Sequence, residues 1–514
     1  MPHPDLLFPA DPQQRRIARE LYAHVRELPL ISPHGHVDPR LLADDVPFGD
    51  PAQLIVVPDH YLTRMLYSQG VRPAQLGVRP KGSGGEPAET DGRTIWRTFA
   101  AHWHLFRGTP SRLWLEQTLA DVFAVTTPLT AATADDVYDA VAACLARPEF
   151  RPRALFERFN LEVLATTESP LDPLAHHAKL AADGWGARVI STFRPDDVVD
   201  MEFGSTGGGD LVDTAAWRDR VARLGELTGE DAFGYQGYLA ALRQRRAAFM
   251  ALGTTSSDHG HPTARTLVLP EKEKQQLFER GLRGAATPAD AEAFRASMLV
   301  EFARMSIEDG MVMQLHPGAY RNHNRRLHAS HGTDVGGDIP QATDYVHGLA
   351  PLLAEHGDDP RLRIVLYTLD ETVFARELAP LAGGYASLFL GAPWWFLDAP
   401  EAMRRFREAV TETAGFYNTA GFVDDTRAFC SIPVRHDVSR RVDAGFLARL
   451  VAEHRLTLDE AAETAVDIAY NLPKRIFRRG VPAGEGLPEP PRGALARDAG
   501  SSVSVQSVSQ EFSQ

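Results

Sequence analysis

Most of the chain follows one repeating pattern, in which a short apolar run ends in polar or charged residues and a helical segment follows. The eight apolar runs lie at residues 30–33, 161–165, 187–192, 250–253, 310–315, 363–368, 386–391 and 421–423. About eight alternations of strand and helix predict an α/β protein built as a (β/α)8 TIM-like barrel. A doubly wound open sheet is the alternative, but no glycine-rich nucleotide loop follows an early run.

The helical segments also predict how the chain is divided. The gap between the first two runs, residues 41–160, is too long for one crossover helix and predicts a helical insertion after the first strand. Helical periodicity is found at 94–106, 111–123, 134–145, 172–183, 217–227, 289–308, 341–356, 399–413, 444–453 and 458–477. We predict one barrel domain over residues 1–480 and a disordered tail over the Gly-, Pro- and Ser-rich residues 481–514.

The overall charge argues against several classes of partner. The chain has 514 residues, with 54 Lys and Arg against 68 Asp and Glu, for a formal net charge of −14. It therefore lacks the basic face that nucleic acid or an anionic membrane surface requires, and neither partner is expected. An anionic small molecule would need arginines placed locally against this field. A homo-oligomer is compatible with the sequence.

Cysteine content and hydropathy predict the compartment. The only cysteines, Cys144 and Cys430, cannot form a disulfide framework or a Cys-rich zinc site. No apolar segment of a secretory signal stands at the start, and no run is long enough to span a bilayer. We therefore expect a cytoplasmic protein.

The first run ends in His34-Gly35-His36, a pair of histidines with one residue between them. On a strand, alternate residues share a face, so both imidazoles would point the same way and form half of a metal site. A turn with two solvated histidines is the alternative. His316 ends the fifth run and Asp425 follows the eighth, so a barrel would bring both towards this pair.

Two histidines on a first strand, a later histidine and a final aspartate together resemble the amidohydrolase superfamily. His34, His36 and Asp425 are the predicted ligands of one divalent ion, with Zn²⁺ the favoured metal and Mn²⁺ the alternative. There is no clear bridging lysine or additional histidine after the fourth and sixth runs, which favours one metal over two. His259 is the nearest candidate for such a histidine.

Within that superfamily the chain resembles the uronate isomerases over about residues 5–477. The segments that carry the resemblance are 59–64, 166–172, 193–196, 314–322, 332–338, 394–396, 425–431 and 435–436. Three positions depart from the usual pattern: 368–371 replaces an Asn-Pro, Asp424 a threonine and Asp437 a glutamate. The order and strand-end placement of the matching segments make the combination specific.

The resemblance implies an aldose–ketose isomerase that interconverts D-glucuronate with D-fructuronate and D-galacturonate with D-tagaturonate. Such a reaction moves hydrogen from C2 to C1 and needs a base and stabilisation of a developing oxyanion. Asp425 is the candidate base as well as a metal ligand. Tyr61 and Arg427 would donate hydrogen bonds to the substrate oxygen. His316 would either bind the metal or shuttle a proton.

A uronate sugar also carries a carboxylate, which an arginine can hold in a bidentate manner. Arg194 is the main candidate, and Arg64 and Arg321 are weaker ones. Trp394 is predicted to line the substrate pocket, chiefly by packing.

Two other functions remain open from the sequence. One is a mononuclear metal-dependent hydrolase of the same superfamily, and the other is a non-catalytic sugar-binding protein. A hydrolase should lose nearly all turnover without metal. An isomerase would not strictly require the ion, because its base is a side chain.

Overall fold

The structure is a computed structural model that describes residues 3–82, 84–202 and 210–480. The predicted tail at 481–514 lies outside the described residues. The strands are β1 Leu30–Ser32, β2 Leu161–Glu168, β3 Val189–Phe193, β4 Ser256–His259, β5 Val312–Leu315, β6 Ala319–Tyr320, β7 Ile339–Pro340, β8 Ile364–Leu366 and β9 Leu388–Leu390.

Seven of these strands form one parallel sheet in the order β1-β2-β3-β4-β5-β8-β9, and β6 and β7 pair as a separate antiparallel ribbon. Sequence order is kept across the sheet, so the carboxyl ends of all seven strands face the same way. The class predicted from the sequence, an α/β fold with a parallel sheet, is confirmed.

The α-helices surround this sheet. They are α1 Pro12–Val25, α2 Pro39–Asp44, α3 Pro51–Ile55, α4 His60–Ser68, α5 Gly92–Ala101, α6 Pro110–Gln117, α7 Ala134–Leu145, α8 Pro152–Arg158, α9 Ala175–Ala182, α10 Asp196–Val199, α11 Ala215–Thr228, α12 Tyr235–Ala251, α13 Glu271–Leu282, α14 Pro288–Asp309, α15 Arg325–His331, α16 Tyr345–His356, α17 Ala379–Gly384, α18 Pro400–Ala414, α19 Ile432–Ala452, α20 Leu458–Val466 and α21 Leu472–Ile476. Helices α2 to α8 occupy the long stretch between β1 and β2. None of the described helices combines the length and apolar character needed to cross a membrane.

The fourth predicted strand was misplaced. The apolar run at 250–253 ends helix α12, and the strand is the polar sequence Ser256–His259. All four strand residues are buried. Some of their polar groups bond to neighbouring strands: Ser256 Oγ accepts from Gln314 Nε2 at 3.0 Å. A strand whose side chains bond to one another inside a sheet needs no apolar run, so hydropathy alone could not find it.

The eighth predicted strand is not formed as a regular strand. Thr419 makes a single parallel bridge with Leu390, and Gly421 then adopts a positive φ of 77°. A Cβ at Gly421 would lie 2.6 Å from Pro473 Cδ, so the backbone passes too close to α21 for any side chain. The segment still contacts both edges of the sheet: Ala420 N donates to Leu390 O at 2.8 Å, and His36 N donates to Thr426 O at 3.0 Å.

Two large apolar clusters hold the helices against the sheet. One contains Trp217, Phe278 and Phe294 and packs α11, α13 and α14 together beside the sheet. The other contains Trp96 and Phe429 and joins the helices between β1 and β2 to the segment after residue 425. This second cluster positions the α2–α8 region beside the carboxyl end of β1.

Candidate active site

A cavity of about 1040 Å³ lies at the carboxyl ends of the strands. Most of the residues predicted from the sequence line it: His34, His36, Tyr61, Arg194, His316, Arg321, Trp394, Asp425 and Arg427. These side chains come from segments that are distant in the sequence. The fold therefore brings side chains from distant segments together around one cavity.

His34, His36 and Asp425 form the first group of donors. The Nε2 atoms of His36 and His34 lie 3.0 and 3.5 Å from Asp425 Oδ1. Two ligand atoms of a tetrahedral zinc ion, each bound at about 2.0–2.1 Å, are about 3.3 Å apart. Donor type and spacing therefore fit a divalent transition metal. His36, whose side chain is 27% exposed, faces the cavity.

The same contacts set the protonation of this group. Burial lowers the pKa of His34 to about 4, which keeps its imidazole neutral as metal binding requires. Burial alone would raise the pKa of Asp425, but the imidazoles of His36 and His34 outweigh it and lower that pKa. Asp425 is therefore a carboxylate at neutral pH.

Asp425 stands in a constrained loop. Its φ of 40° lies in the left-handed region, which aspartate tolerates better than most residues. The loop is held by two residues near the start of α19: His436 Nε2 lies 3.1 Å from Asp424 Oδ2, and Arg435 Nη1 donates to Asp424 O at 3.3 Å. Arg435 is itself held by Asp398 at 2.6 Å. The aspartate at 424, a departure from the usual threonine, thus has a structural partner.

Asp258 joins several of the predicted residues, and the sequence analysis did not assign it a role. The side chain is completely buried, and its Oδ1 lies 2.6 Å from His316 Nδ1. Its Oδ2 lies 3.0 Å from Arg194 Nη1 and 3.9 Å from His34 Nε2. Burial would raise the pKa of Asp258, but Arg194 and the two histidines lower it strongly. The only signal in the sequence was its position at the end of a polar strand.

Tyr61 reaches the cavity from the first turn of α4. Asp59 caps this helix, accepting from Tyr61 N at 2.8 Å and Leu62 N at 3.2 Å. The Tyr61 ring packs edge-on against Trp114, with ring centroids 5.9 Å apart. Burial raises the pKa of Tyr61, so the phenol is protonated and can donate a hydrogen bond.

Arg427 and Arg321 share a carboxylate at the cavity wall. Asp334 Oδ2 lies 3.1 Å from Arg427 Nη2, and Asp334 Oδ1 lies 3.9 Å from Arg321 Nη1. Burial opposes ionisation of Asp334, but the two guanidinium groups lower its pKa to about 2. Asp338 anchors Arg321 further at 3.1 Å.

Arg64 and Trp394 differ in their placement. Arg64 is not among the described residues that line the cavity; its guanidinium lies 4.8 Å from the centre of the Phe396 ring. Trp394 does line the cavity, with its ring centroid 4.7 Å from that of His316 in an edge-on contact. Stacking with Tyr367 on another side, at 4.0 Å, fixes the His316 ring between aromatic neighbours.

The fold and the site define an α/β enzyme of the class that carries out its chemistry at the carboxyl ends of parallel strands. The model of the glucuronate isomerase family matches residues 13–477. Uronate isomerases of Xanthomonas axonopodis pv. citri (strain 306) and Phenylobacterium zucineum (strain HLK1) are 58% and 57% identical to this chain. The alignments cover 93% and 94% of this chain and 98% and 97% of those relatives. The chain belongs to the glucuronate isomerase family.

Solved structures agree with this assignment. The crystal structure of glucuronate isomerase from Caulobacter crescentus is 55% identical, with a TM-score of 0.88 over 92% of this chain and 96% of that one. The uronate isomerase structure from Thermotoga maritima is 28% identical, with a TM-score of 0.84 over 93% of this chain and 99% of that one. The resemblance inferred from the motifs is confirmed.

Proposed function

We propose that this protein interconverts D-glucuronate with D-fructuronate, and D-galacturonate with D-tagaturonate, by moving hydrogen from C2 to C1. The observation that carries this proposal is the ionised Asp425, held by two imidazoles in a cavity that Arg194, Tyr61 and Arg427 also line. Membership of the glucuronate isomerase family favours this reaction over the hydrolase alternative.

His34, His36 and Asp425 would hold one divalent ion, Zn²⁺ or Mn²⁺. When bound, the ion would polarise a substrate oxygen as a Lewis acid. The donor types and the distances of 3.0 and 3.5 Å support this set.

The proton transfer would rely on Asp425 and His316. Asp425 accepts the proton from C2 and then gives a proton to C1, because its carboxylate is ionised and lines the cavity. His316 relays the hydroxyl proton: its Nδ1 bonds to Asp258, whereas its Nε2 has no hydrogen-bond partner among the described residues. Tyr61 and Arg427 donate to the oxygen on which negative charge develops. Transfer of hydride instead would use the same residues.

The substrate carboxylate would bind to Arg194, with Arg321 as a second candidate. Arg194 is 24% exposed and held at two sides, with Nε 2.8 Å from Asp196 and Nη1 3.0 Å from Asp258. Two buried carboxylates thus position the guanidinium and leave its remaining N–H groups for the substrate. Arg64, which lies over Phe396, is the weakest of the three candidates.

We further propose that the segment at 418–426 closes the seven strands into a barrel and that residues 41–160 are an insertion after the first strand. The backbone hydrogen bonds of segment 418–426 to Leu390 on one side and to His36 on the other support closure of the barrel. Residues 1–480 would form the single domain, and the protein would act in the cytoplasm.

The test is incubation of the full chain with D-glucuronate in D₂O, followed by proton NMR. We expect ketose signals, and deuterium at C1 would indicate proton rather than hydride transfer. The Asp425→Asn variant is the control for a contaminating activity. No ketose from D-glucuronate would contradict the proposal. If chelation abolished all turnover, the claim that the ion is not strictly required would be wrong.

A further inference from the structure

A second His-Gly-His triplet, His259-Gly260-His261, ends β4 and repeats the pattern that follows β1. Asp196, from the first position of α10, lies beside it. One ligand atom from each of Asp196, His259 and His261 lies within 4.8 Å of the other two. This second group shares no residue with the group of His34, His36 and Asp425.

The imidazoles of the second group lack ordinary partners. His261 is 4% exposed, and neither of its ring nitrogens has a hydrogen bond among the described residues. His259 is 1% exposed; one nitrogen bonds to Ser257 Oγ at 3.1 Å, and Nδ1 has no partner there either. Buried polar atoms without a partner are costly and rare, so three such atoms in one place point to a bound group.

The distance from His261 to Asp196 does not suit a direct bond. His261 Nε2 lies 3.6 Å from Asp196 Oδ1, too far for a hydrogen bond of ordinary length. It is close to the separation of about 3.3 Å between two ligands of one tetrahedral zinc ion. The first group shows comparable separations of 3.0 and 3.5 Å.

The carboxylate of Asp196 is already fixed in position. Its Oδ2 accepts from Arg194 Nε at 2.8 Å and from Gly260 N at 3.0 Å, which turns Oδ1 towards His261. Glycine at position 260 leaves room for the guanidinium, since a Cβ there would lie 2.1 Å from Arg194 Nη2 in its present position. The triplet and the carboxylate are therefore preorganised before any ion binds.

Acidic groups slightly outnumber guanidinium groups around the two imidazoles. Asp196, Asp200 and Glu292 act on His261 against Arg295, and Asp258 acts on His259 against Arg194 and Arg246. Burial lowers the pKa of both His259 and His261, so each imidazole is neutral at pH 7 and free to ligate. His261 also lines the cavity, which leaves room for water at a fourth position.

We propose that Asp196, His259 and His261 form a second divalent-cation site, separate from the first group and selective for transition metals such as Zn²⁺. Two imidazoles and one carboxylate suit Zn²⁺ far better than Mg²⁺ or Ca²⁺, which prefer oxygen ligands. The site lies behind Arg194, whose guanidinium stands between Asp196 and Asp258.

The test counts zinc ions on the full chain. Protein stripped with a chelator is dialysed against Zn²⁺, and zinc per chain is measured by inductively coupled plasma mass spectrometry. We expect two ions in the wild type, one in His261→Asn, one in His36→Asn and none in the double variant. His177→Asn, at a buried histidine outside both groups, is the matched control and should keep two.

One ion in the wild type that is kept in His261→Asn, two in His261→Asn, or loss of both in His36→Asn would overturn the proposal. Failure of the first group would instead appear as one ion in the wild type that is kept in His36→Asn and lost in His261→Asn. If His261→Asn does not fold, anomalous diffraction at the zinc edge from wild-type crystals in Zn²⁺ replaces it. A peak among the three side chains is expected, and no peak there would end the proposal.

Discussion

The triplets at 34–36 and 259–261 stand at the carboxyl ends of two strands of one sheet, yet their surroundings differ. The first triplet contacts Asp425, which is more than half the chain away in sequence, and its His36 lines the cavity. The second meets Asp196, whose carboxylate also holds Arg194. The same local pattern therefore supplies the same donors in both places. The two groups differ in the carboxylate that completes each one and in the other side chains that this carboxylate contacts. This difference distinguishes the first group, a proposed reaction centre, from the second, a proposed supporting site.

We expect the largest difference between the two groups in how strongly catalytic activity depends on their carboxylates. Asp425→Asn should lower kcat for D-glucuronate isomerisation by at least about 10²-fold, since general base catalysis contributes about 10²–10⁴-fold. Steady-state assays of ketose formation measure this. Asp196→Asn is the matched change in the second group and should have a smaller effect, expressed mainly in KM through Arg194. Near-wild-type kcat in Asp425→Asn would remove the base assignment.

Arg194 lies between the two groups, so its loss should be next in size. Arg194→Met should raise KM for D-glucuronate about tenfold or more, because a charged hydrogen bond contributes about 1.5–3 kcal/mol. The kcat should change less. The control is Arg376→Met, at an exposed arginine paired with Glu377. A KM equal to that of the wild type would show that another residue holds the substrate carboxylate.

Changing one histidine in each group to asparagine should show how much each group contributes to catalysis. His36→Asn should lower kcat/KM more than His261→Asn, for which we expect a change of less than about tenfold. The reason is that His36 lies 3.0 Å from the proposed base, whereas His261 contacts Asp196 on the far side of Arg194. Parallel assays with and without added Zn²⁺ measure both effects. Equal losses in the two variants would contradict the division of roles.

The last comparison concerns stability rather than activity, at a third buried carboxylate, Glu168, whose partners are the hydroxyls of Thr166 and Ser191. Burial raises the pKa of Glu168 from 4.5 to about 7, opposite to the shift at Asp425. Between these values the folded state binds more protons than the unfolded state, so the free energy of unfolding falls as pH rises. The loss by pH 8 should be up to about 3 kcal/mol.

Glu168→Gln should remove this loss, so the variant should gain stability relative to the wild type between pH 5 and pH 8. Denaturant unfolding at both pH values measures it. Glu226→Gln, at an exposed position, should leave the pH dependence as it is in the wild type. An unchanged pH dependence in Glu168→Gln would mean that its carboxyl titrates normally.

Much of the fold could be predicted from hydropathy because most strands are apolar and buried. β5 and β8 lie within predicted runs, and α7 has the predicted bounds of 134–145. β4 was missed because its side chains are polar although they are buried, and Ser256 bonds to Gln314 on the neighbouring strand. The segment at 421–423 was wrongly predicted as a strand for the opposite reason. It is apolar, but its close approach to Pro473 prevents regular strand pairing.

The candidate site divides in the same way. His34, His36, His316 and Asp425 could be chosen from the sequence because each follows an apolar run. Asp258 could not be assigned, since its importance comes from simultaneous contacts with Arg194 and two histidines. The triplet at 259–261 was visible as a repeat of 34–36, and that repetition was a usable signal that the sequence analysis did not exploit.

The sequence by itself determined the kinds of donor atom available, the alternation of strands and helices, and the family to which the chain belongs. Tertiary structure alone decided which carboxylate meets which pair of imidazoles, and that Asp258 and Asp196 hold Arg194 from two sides. The physical reason is that short-range pattern sets local conformation and chemistry. Distances between residues hundreds of positions apart depend instead on how the whole sheet curls and packs.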